Sequence, residues 1–401
     1  MRLEENRASI EQAVDGGLLA GAVTLVWKHG NVLQVNEIGY RDVAANLPMQ
    51  RDTIFRIASM SKPVTVAAAM SLVDEGKLAL SDPVGTWLPE LAEMRVLKDP
   101  NGPLDETVPA ARQITVDDLM THRSGLAYSF SVTGPLSQAY GRLSLRQDQD
   151  HWLAEIAELP LVHQPGDRLT YSHATDVLGI VLSRIEGKSL QTVLADRIFD
   201  PLGMTDTGFH ISTEQRRRAA TMYRLDPEKG LSHDAMGPVP VREPRFSQGG
   251  AALLSTADDY LKFVRMLLGH GEVDGVRVLS EASATTMRTN QLTDAQMQIP
   301  FLGMPFWIGR GFGLNLSVVT DPAKSAQLFG PGGLGSFSWP GAFGTWWQAD
   351  PANDLILIYL IQNYPNLSPT AAAAVAGNTS LANLQSVQPR FVRRTYQALE
   401  L

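Results

Sequence analysis

The sequence predicts an α+β fold, α/β in the broad sense, with a central antiparallel sheet flanked by helices and an inserted helical domain. Strand patterns lie near both ends of the 401-residue chain, and helical patterns occupy much of the middle. Each end region carries a hairpin pattern, which favours antiparallel pairing. Strands from distant segments must then share one sheet. We expect residues 1–80 and 181–401 to form the α/β domain and residues 81–180 a mostly helical domain.

The first elements are a helix and a hairpin. Residues 3–15 carry apolar side chains at helical spacing. Residues 22–27 and 32–38 are rich in β-branched and aromatic side chains, and His29-Gly30-Asn31 separates them. This pattern predicts two antiparallel strands joined by a tight turn.

A strand over residues 53–57 and a helix over residues 63–75 are predicted next. Pro63 suits a first helical turn, where its missing N–H costs nothing. Gly76 supplies the left-handed residue that commonly ends a helix. The short segment between the strand and the helix therefore lies at a helix N-terminus.

The rest of the chain follows the same signals. Thr115 to Asp118 has the spacing of a capping box at a helix start. Further helices are predicted over about 148–159, 176–186, 189–199, 256–268, 281–289 and 388–400. Late strands are predicted over 312–319, 335–349 and 355–360, the last two forming a hairpin.

The composition excludes several classes of protein. Hydrophobic residues make up 44% and charged residues 19% of the chain, and the net charge is −8, so a nucleic-acid-binding surface is not expected. The absence of cysteine excludes disulfides and thiolate chemistry. No apolar run is long enough to cross a membrane, and the N-terminus lacks the pattern of a signal peptide. The sequence predicts a cytoplasmic protein that binds neither membrane nor nucleic acid.

The segment Ser59-Met60-Ser61-Lys62 has the S-x-x-K pattern. If helical geometry begins at Ser59, Lys62 lies one turn further along the same face. Free N–H groups and the helix dipole favour negative charge at such a position. Serine acyl-transfer enzymes use this arrangement. Taken alone, the pattern fits an N-cap serine beside a solvated lysine equally well.

Four other segments favour the acyl-transfer interpretation of this pattern over the structural one. They are Thr121 to Leu126, Pro165-Gly166, Tyr171-Ser172-His173 and the glycine-rich run from Gly332 to Gly344. With Ser59 to Lys62, this set resembles the serine β-lactamase and penicillin-binding-protein superfamily. The nearest likeness is to the class C-like esterases called family VIII carboxylesterases. The order and spacing match from about residue 18 to 365.

The resemblance implies a β-lactamase/transpeptidase-like fold and a set of catalytic residues. Ser59 falls on the nucleophile, Lys62 on the motif lysine and Tyr171 on the tyrosine of the Y-x-N element. The implied oxyanion hole consists of the backbone N–H groups of Ser59 and Ala342.

The implied substrate-binding residues are Tyr128, His173, Trp339 and Gly341. No K-T-G occurs in the chain, and Trp339-Pro340-Gly341 takes its place. Losing the lysine removes a charge that attracts a substrate carboxylate, and tryptophan adds a flat apolar wall that suits an uncharged ester. His173 in place of asparagine removes an amide that can hold an acyl amide.

Two residues are candidates for the base that activates Ser59. An unperturbed lysine has a pKa near ~10.4 and is protonated at neutral pH, whereas an unperturbed tyrosine, near ~10, is neutral. Placed together in a dry cleft, the two titrate as a unit. We favour Tyr171 as the proton acceptor with Lys62 supplying positive charge, and the sequence leaves the choice open.

The leading hypothesis is a serine carboxylesterase that hydrolyses short-chain uncharged esters through an acyl-enzyme on Ser59. The alternatives are a β-lactamase, a D-amino-acid amidase or peptidase, an acyltransferase, or a catalytically silent penicillin-recognition or scaffold protein. No G-x-S-x-G occurs, which disfavours an α/β-hydrolase. The 8 histidines include no H-E-x-x-H pattern, so we expect no metal and no cofactor. The expected partner is a small-molecule ester, and the oligomeric state is open.

Overall fold

Short strands and helices alternate along the chain in a computed structural model that describes residues 3–226, 229–234, 236–364 and 379–401. The strands are β1 Gly21–Lys28, β2 Asn31–Asp42, β3 Leu47–Pro48, β4 Phe55–Arg56, β5 Arg95–Leu97, β6 Thr107–Pro109, β7 Tyr223–Asp226, β8 Gly230–His233, β9 Leu254–Ser255, β10 Glu272–Val273, β11 Val276–Arg277, β12 Arg310–Phe312, β13 Ser317–Val319, β14 Phe337–Ser338, β15 Trp346–Asp350 and β16 Leu355–Leu360. The α-helices are α1 Glu4–Asp15, α2 Ser61–Asp74, α3 Val116–Met120, α4 Gly134–Arg142, α5 Gln149–Ala157, α6 Ala174–Glu186, α7 Leu190–Leu194, α8 Asp200–Leu202, α9 Ala257–Leu268, α10 Glu281–Met287, α11 Asp294–Met297, α12 Pro322–Phe329 and α13 Thr379–Ala398.

The central sheet is built from both ends of the chain. Among the described residues, eight strands pair in the order β12-β13-β14-β15-β16-β1-β2-β3, and every pair is antiparallel. All residues of β16 are buried, as is typical of a strand covered on both faces. The predicted central antiparallel sheet and its two hairpins, β1–β2 and β15–β16, are therefore present.

Helices cover the two faces of the sheet. Because side chains alternate along a strand, Ile358 and Tyr359 of β16 point to opposite faces. Tyr359 packs with Ile10 of α1 and Phe391 of α13. Ile358 lies in the larger core that includes α2 and α9. The face that holds α2 also carries the residues predicted to be catalytic.

Three predicted strands are wrong in their extent. The strand predicted over 312–319 is two strands, β12 and β13, because Asn315 takes a left-handed conformation (φ 55°) and turns the chain. The strand predicted over 335–349 is interrupted between β14 and β15 by a turn that contains Gly341 and Gly344. The strand predicted over 53–57 is only β4, which pairs with β9.

The predicted helices are largely present, with differences at their ends. Gly187 is left-handed (φ 63°) and ends α6 as predicted. Thr115 and Asp118 form the predicted capping box of α3. The final helix, predicted over 388–400, begins at Thr379 and contains Pro389 in its interior. The described helices include none whose length and hydropathy would suit a membrane span.

The segment predicted as a helical domain, residues 81–180, contains α3, α4, α5 and the start of α6. It also contains the β5–β6 ribbon, so it is less purely helical than expected. Its predicted boundaries near residues 80 and 180 stay a prediction.

Candidate active site

Ser59 lies in a three-ten turn, Ala58–Met60, that runs directly into α2. The residue before it, Ala58, has φ 46°, a left-handed conformation that a residue with a Cβ rarely adopts. Such strain persists only where the surrounding structure holds it. The sequence carried no signal for it, since alanine does not indicate a left-handed turn.

Contacts from two distant elements hold this strained segment. Tyr260 of α9 donates a hydrogen bond from its hydroxyl to the carbonyl of Met60, at 2.9 Å. Thr345, just before β15, donates from its hydroxyl to the carbonyl of Ile57, at 3.2 Å. The main chain is therefore fixed on both sides of Ser59.

The second serine of the motif has a different role. The Ser61 hydroxyl donates to the Ala58 carbonyl at 2.7 Å and accepts from the Leu253 N–H at 3.1 Å. This buried hydroxyl therefore donates to one backbone group and accepts from another. Ser61 is therefore structural, and Ser59 is the serine available for chemistry.

Lys62 connects several parts of the site. Its fully buried side chain places Nζ 3.3 Å from Ser59 Oγ, 3.1 Å from the Tyr128 hydroxyl and 2.7 Å from the Gly250 carbonyl. An ammonium group has three N–H donors, so each donor has an acceptor. Lys62 thus links Ser59 to the phenol of Tyr128, which was predicted from the sequence only as a residue that lines the pocket.

The two tyrosines near Lys62 contact it in different ways. The Tyr171 hydroxyl accepts a hydrogen bond from the Trp339 indole N–H at 3.1 Å. Lys62 Nζ lies 4.7 Å from the centre of the Tyr171 ring, a cation–π contact. The predicted pairing of Lys62 with Tyr171 therefore occurs through the ring, while the Tyr128 hydroxyl takes the direct hydrogen bond.

The pKa of Tyr128 is raised well above its ordinary value of 10. The largest cause is loss of hydration, followed by the negative charge of Asp176 and by the neighbouring Tyr171. Both burial and a nearby negative charge disfavour a phenolate. Tyr128 therefore keeps its proton at neutral pH.

A short network behind Tyr128 involves His173 and Asp176. His173 Nδ1 lies 2.7 Å from one carboxylate oxygen of Asp176, and the other oxygen accepts the Gly250 N–H at 2.8 Å. The His173 ring meets the Tyr128 ring edge-on, with 4.3 Å between centres. A Cβ at Gly250 would lie 2.9 Å from the Asp176 carboxylate, so this position requires glycine. His173 supports Tyr128, and its predicted contact with substrate stays a prediction.

Asp176 and Gly250 were not predicted from the sequence as site residues. A signal for Asp176 exists in its position three residues after His173, in the first turn of a helix, where acidic residues are favoured. No comparable signal marks Gly250, because its role depends on how distant segments meet.

His122 packs against the ring of Tyr171. Its buried ring lies 4.8 Å from the Tyr171 ring, and its Nδ1 lies 3.1 Å from the Ser172 hydroxyl. Burial, and after it the positive charge of Lys62, lowers the pKa of His122 well below 6.5. His122 is therefore neutral and adds no charge next to Tyr171.

The predicted oxyanion hole joins the Ser59 segment to the turn after β14. Neither the Ser59 N–H nor the Ala342 N–H donates a hydrogen bond to any group in the described ranges. Gly341 donates to the Thr345 carbonyl at 2.7 Å and lies so close to the Ile57 carbonyl that a Cβ there would overlap it. The geometry suits the predicted roles of Ser59 and Ala342, which stay predictions.

Aromatic side chains surround the site. Trp339 is only 3% exposed, packs against Phe312 and Phe301, and donates its N–H to Tyr171. Phe130 stacks on Tyr128 with 5.0 Å between ring centres. The contact of Trp339 with a substrate stays a prediction.

A cavity of about 260 Å³ reaches Tyr171 from the side of Leu169 and Phe301. Its other apolar lining residues include Val132 and Ile299. This volume approaches the lower end of ordinary small-molecule sites. In the part of the chain that the structure describes, no group of three or more His, Asp or Glu residues is arranged to hold a metal ion.

Comparisons with known proteins agree with the geometry. The family model described as Beta-lactamase matches residues 6–378. An uncharacterized protein of Mycobacterium tuberculosis is 66% identical over 401 residues, covering 100% of both chains. Esterase EstB of Burkholderia gladioli is 32% identical over 406 residues, covering 96% of this chain and 94% of EstB.

A solved structure is similar across nearly the whole chain. The hydrolase EstCE1, described as having promiscuous acyltransferase activity, superposes with a TM-score of 0.77 at 26% sequence identity. The superposition covers 96% of this chain and 98% of EstCE1.

Proposed function

The chain belongs to the beta-lactamase family and has the predicted β-lactamase/transpeptidase-like fold, and from these facts and the geometry around Ser59 we propose that it is a serine carboxylesterase. Its proposed substrates are short-chain, uncharged esters, hydrolysed through an acyl-enzyme on Ser59. The observation that carries the proposal is the placement of Lys62 Nζ 3.3 Å from Ser59 Oγ at the entrance of α2. The esterase relative EstB supports it.

In the proposed acylation step, Ser59 Oγ forms a bond to the ester carbonyl carbon and gives its proton to Tyr171. The oxyanion binds to the N–H groups of Ser59 and Ala342, which are otherwise free in the described ranges. Lys62 and the N-terminus of α2 add positive potential at the same place. Loss of the alcohol leaves the acyl-enzyme, which water then hydrolyses.

The preference for uncharged esters rests on the residues that surround the reacting atoms. Trp339 occupies the position of the K-T-G lysine, so the cation that would attract a carboxylate is missing. Tyr128, Phe130 and Phe301 add aromatic surface near Tyr171. A charge-assisted hydrogen bond contributes about 1.5–3 kcal/mol, so its loss should weaken binding of an anion by roughly ten- to a hundredfold.

Acyl transfer to an alcohol is a second candidate function, because it uses the same acyl-enzyme. The description of EstCE1 as a hydrolase with promiscuous acyltransferase activity favours it as a variant of the first proposal. A β-lactamase or a D-amino-acid amidase or peptidase is the other alternative. These candidates differ in the group that accepts or releases the acyl chain.

The first test is chemical labelling of Ser59. We expect an alkyl phosphonate ester to form a stable adduct on Ser59, and we expect Ser59→Ala to lose both the adduct and ester turnover. The fold should survive, because the Ser59 hydroxyl caps no helix and, among the described residues, is hydrogen-bonded only to Lys62. Mass spectrometry of the digested protein locates the adduct, and modification of a different serine would refute the assignment.

A substrate panel tests the specificity. We expect a higher kcat/KM for p-nitrophenyl acetate and butyrate than for the decanoate, and much lower values for nitrocefin and benzylpenicillin. Equal efficiency on benzylpenicillin and the acetate would favour the β-lactamase alternative. Adding methanol or butanol and measuring ester formation distinguishes the acyltransferase variant.

A further inference from the structure

Two phenol groups flank Lys62 in opposite environments. We propose that they divide the proton transfers of the acyl-transfer reaction: Tyr171 takes the proton of Ser59, and Tyr128 gives a proton to the departing alcohol. This inference rests on the proposed esterase function and assigns Tyr128 a catalytic role in addition to lining the pocket.

The hydrogen bonds of Tyr128 suit a proton donor. Its oxygen accepts from Lys62 Nζ at 3.1 Å, and its own O–H donates to no group in the described part of the chain. A leaving oxygen bound next to Ser59 can therefore receive this proton. Lys62 donates hydrogen bonds to both Ser59 and Tyr128, so the nucleophile and the proposed donor contact the same ammonium group.

The contacts of Tyr171 suit a proton acceptor. The Trp339 N–H points at its oxygen from 3.1 Å, and the positive charge of Lys62 lies over its ring. A hydrogen bond donated to the oxygen and a nearby cation both stabilise negative charge, and because Lys62 supports both phenols, the distinction between them rests on the carboxylate of Asp176 near Tyr128.

Both phenols face the positive charge of Lys62, and Tyr128 also lies near a carboxylate. Tyr128 faces Lys62 and lies near Asp176, which is paired with His173. Tyr171 faces Lys62, Tyr128 and the neutral His122. The carboxylate therefore acts on Tyr128 and holds its proton in place. The role of proton donor therefore falls to the phenol that lies beside the carboxylate.

Protons balance over both half-reactions. The cycle begins with Tyr171 as phenolate; in acylation, the bond from Ser59 Oγ to the acyl carbon forms while the Ser59 proton moves to the Tyr171 oxygen. The bond to the alcohol oxygen then breaks, and that oxygen takes the Tyr128 proton. In deacylation, water attacks and its proton moves to the Tyr128 oxygen, while Tyr171 returns its proton to Ser59 Oγ. Lys62 stays an ammonium group and stabilises whichever phenolate is present.

The test compares esters of one acid with alcohols of different acidity. In Tyr128→Phe, kcat/KM for ethyl or benzyl acetate should fall by about 10²–10⁴, while kcat/KM for p-nitrophenyl acetate should stay within about tenfold. The reason is that p-nitrophenolate departs without a proton. With p-nitrophenyl acetate, this variant should release one equivalent of p-nitrophenol in a burst and then turn over slowly, because water has lost its base.

Two other variants complete the experiment. Tyr171→Phe should lower kcat/KM for all these esters and show no burst, because acylation itself is impaired. Tyr359→Phe removes a buried hydroxyl on the opposite face of the sheet, and it should match wild type. Equal loss by Tyr128→Phe on every ester, or no loss on any, would overturn the division of roles. If wild type lacks esterase activity and Ser59 takes no adduct, the proposed function itself has failed.

Discussion

At the residue scale, Trp339 combines packing with chemistry. Its ring fills a cluster with Phe301 and Phe312, and its N–H is the hydrogen bond donor to the Tyr171 hydroxyl. The resemblance aligns this residue with the K-T-G lysine, and its side chain brings a hydrogen bond donor without a charge. A neutral donor still stabilises a phenolate, although less strongly than a cation does.

Replacing Trp339 with phenylalanine should separate these two contributions. Trp339→Phe keeps an aromatic ring and removes the N–H that points at Tyr171. A hydrogen bond to a charged group contributes about 1.5–3 kcal/mol, so we expect a roughly ten- to a hundredfold lower kcat/KM on p-nitrophenyl acetate. The measurement is steady-state kinetics on wild type and Trp339→Phe at one pH.

The matched control is Trp307→Phe, which alters another tryptophan of the same cluster without removing a donor to Tyr171. An equal loss of kcat/KM in both variants would show that only packing matters.

Ala58 illustrates a limit of sequence reasoning at the same scale. The S-x-x-K motif predicted a serine at a helix entrance, and Ser59 is there. The left-handed conformation of Ala58 was not predicted, because it depends on the hydrogen bonds that Met60 and Ile57 receive from Tyr260 and Thr345. Those partners come from elements far away in the chain.

At the element scale, the turn between β14 and β15 determines how the sheet meets α2. The sequence predicted one continuous strand over 335–349 because its apolar and aromatic residues give no sign of the break. Gly341 reaches the Ile57 carbonyl, and Gly344 has φ 82°, so the chain turns where a strand was expected. The interruption carries Ala342 to the Ser59 segment.

Gly341→Ala should therefore damage catalysis through the main chain. The added Cβ would overlap the Ile57 carbonyl and the Thr345 hydroxyl, forcing the turn away from Ser59. Removing one oxyanion donor typically lowers kcat by about 10²–10³, and we expect a loss of that order. KM should change less, because the aromatic lining stays in place.

Gly141→Ala is the control for this substitution. A Cβ there meets only Ser129 Cβ, at 3.9 Å, and α4 should gain up to about 1 kcal/mol in stability from the better helix former. Steady-state kinetics with p-nitrophenyl acetate on both variants makes the comparison. Full activity in Gly341→Ala would mean that Ala342 does not contribute to the oxyanion hole.

At the scale of the whole molecule, residues from well-separated segments converge on Lys62. Ser59, Lys62 and Tyr171 were predicted because each lies in a recognisable short motif. The direct hydrogen bond between Lys62 and Tyr128, and the support from Asp176, were not predicted, because they depend on how α2 and α6 pack together. The sequence therefore indicated which segments carry the chemistry. It gave less information on how the side chains of those segments pair.

Folding also buries two histidines in the neutral form. The free energy of unfolding therefore depends on pH. Burial lowers the pKa of both His122 and His163 below 6.5. As pH falls through 6.5, the unfolded chain therefore binds these protons before the folded protein does. The free energy of unfolding therefore has its full value above pH 6.5. Below that pH it falls by up to about 1.4 kcal/mol per pH unit for each histidine.

Acidic groups act in a lower range of pH, so the two effects can be separated. Arg197 is the main cause that lowers the pKa of Glu75 from 4.5 to about 2. Its contribution is present above pH 4.5 and is lost as pH falls toward 2. The range from pH 6.5 to 5 therefore reports mainly on the buried histidines.

His122→Asn should flatten the stability curve in that range. Asparagine tolerates the left-handed backbone of this position (φ 55°), and it carries no titrating ring. We expect the free energy of unfolding, measured in urea at half-unit steps of pH, to fall less steeply below pH 6.5 in the variant than in wild type. His151→Asn, which replaces an exposed histidine, should keep the wild-type slope. An unchanged slope in His122→Asn would mean that His122 gains its proton in the folded state as readily as in the unfolded chain.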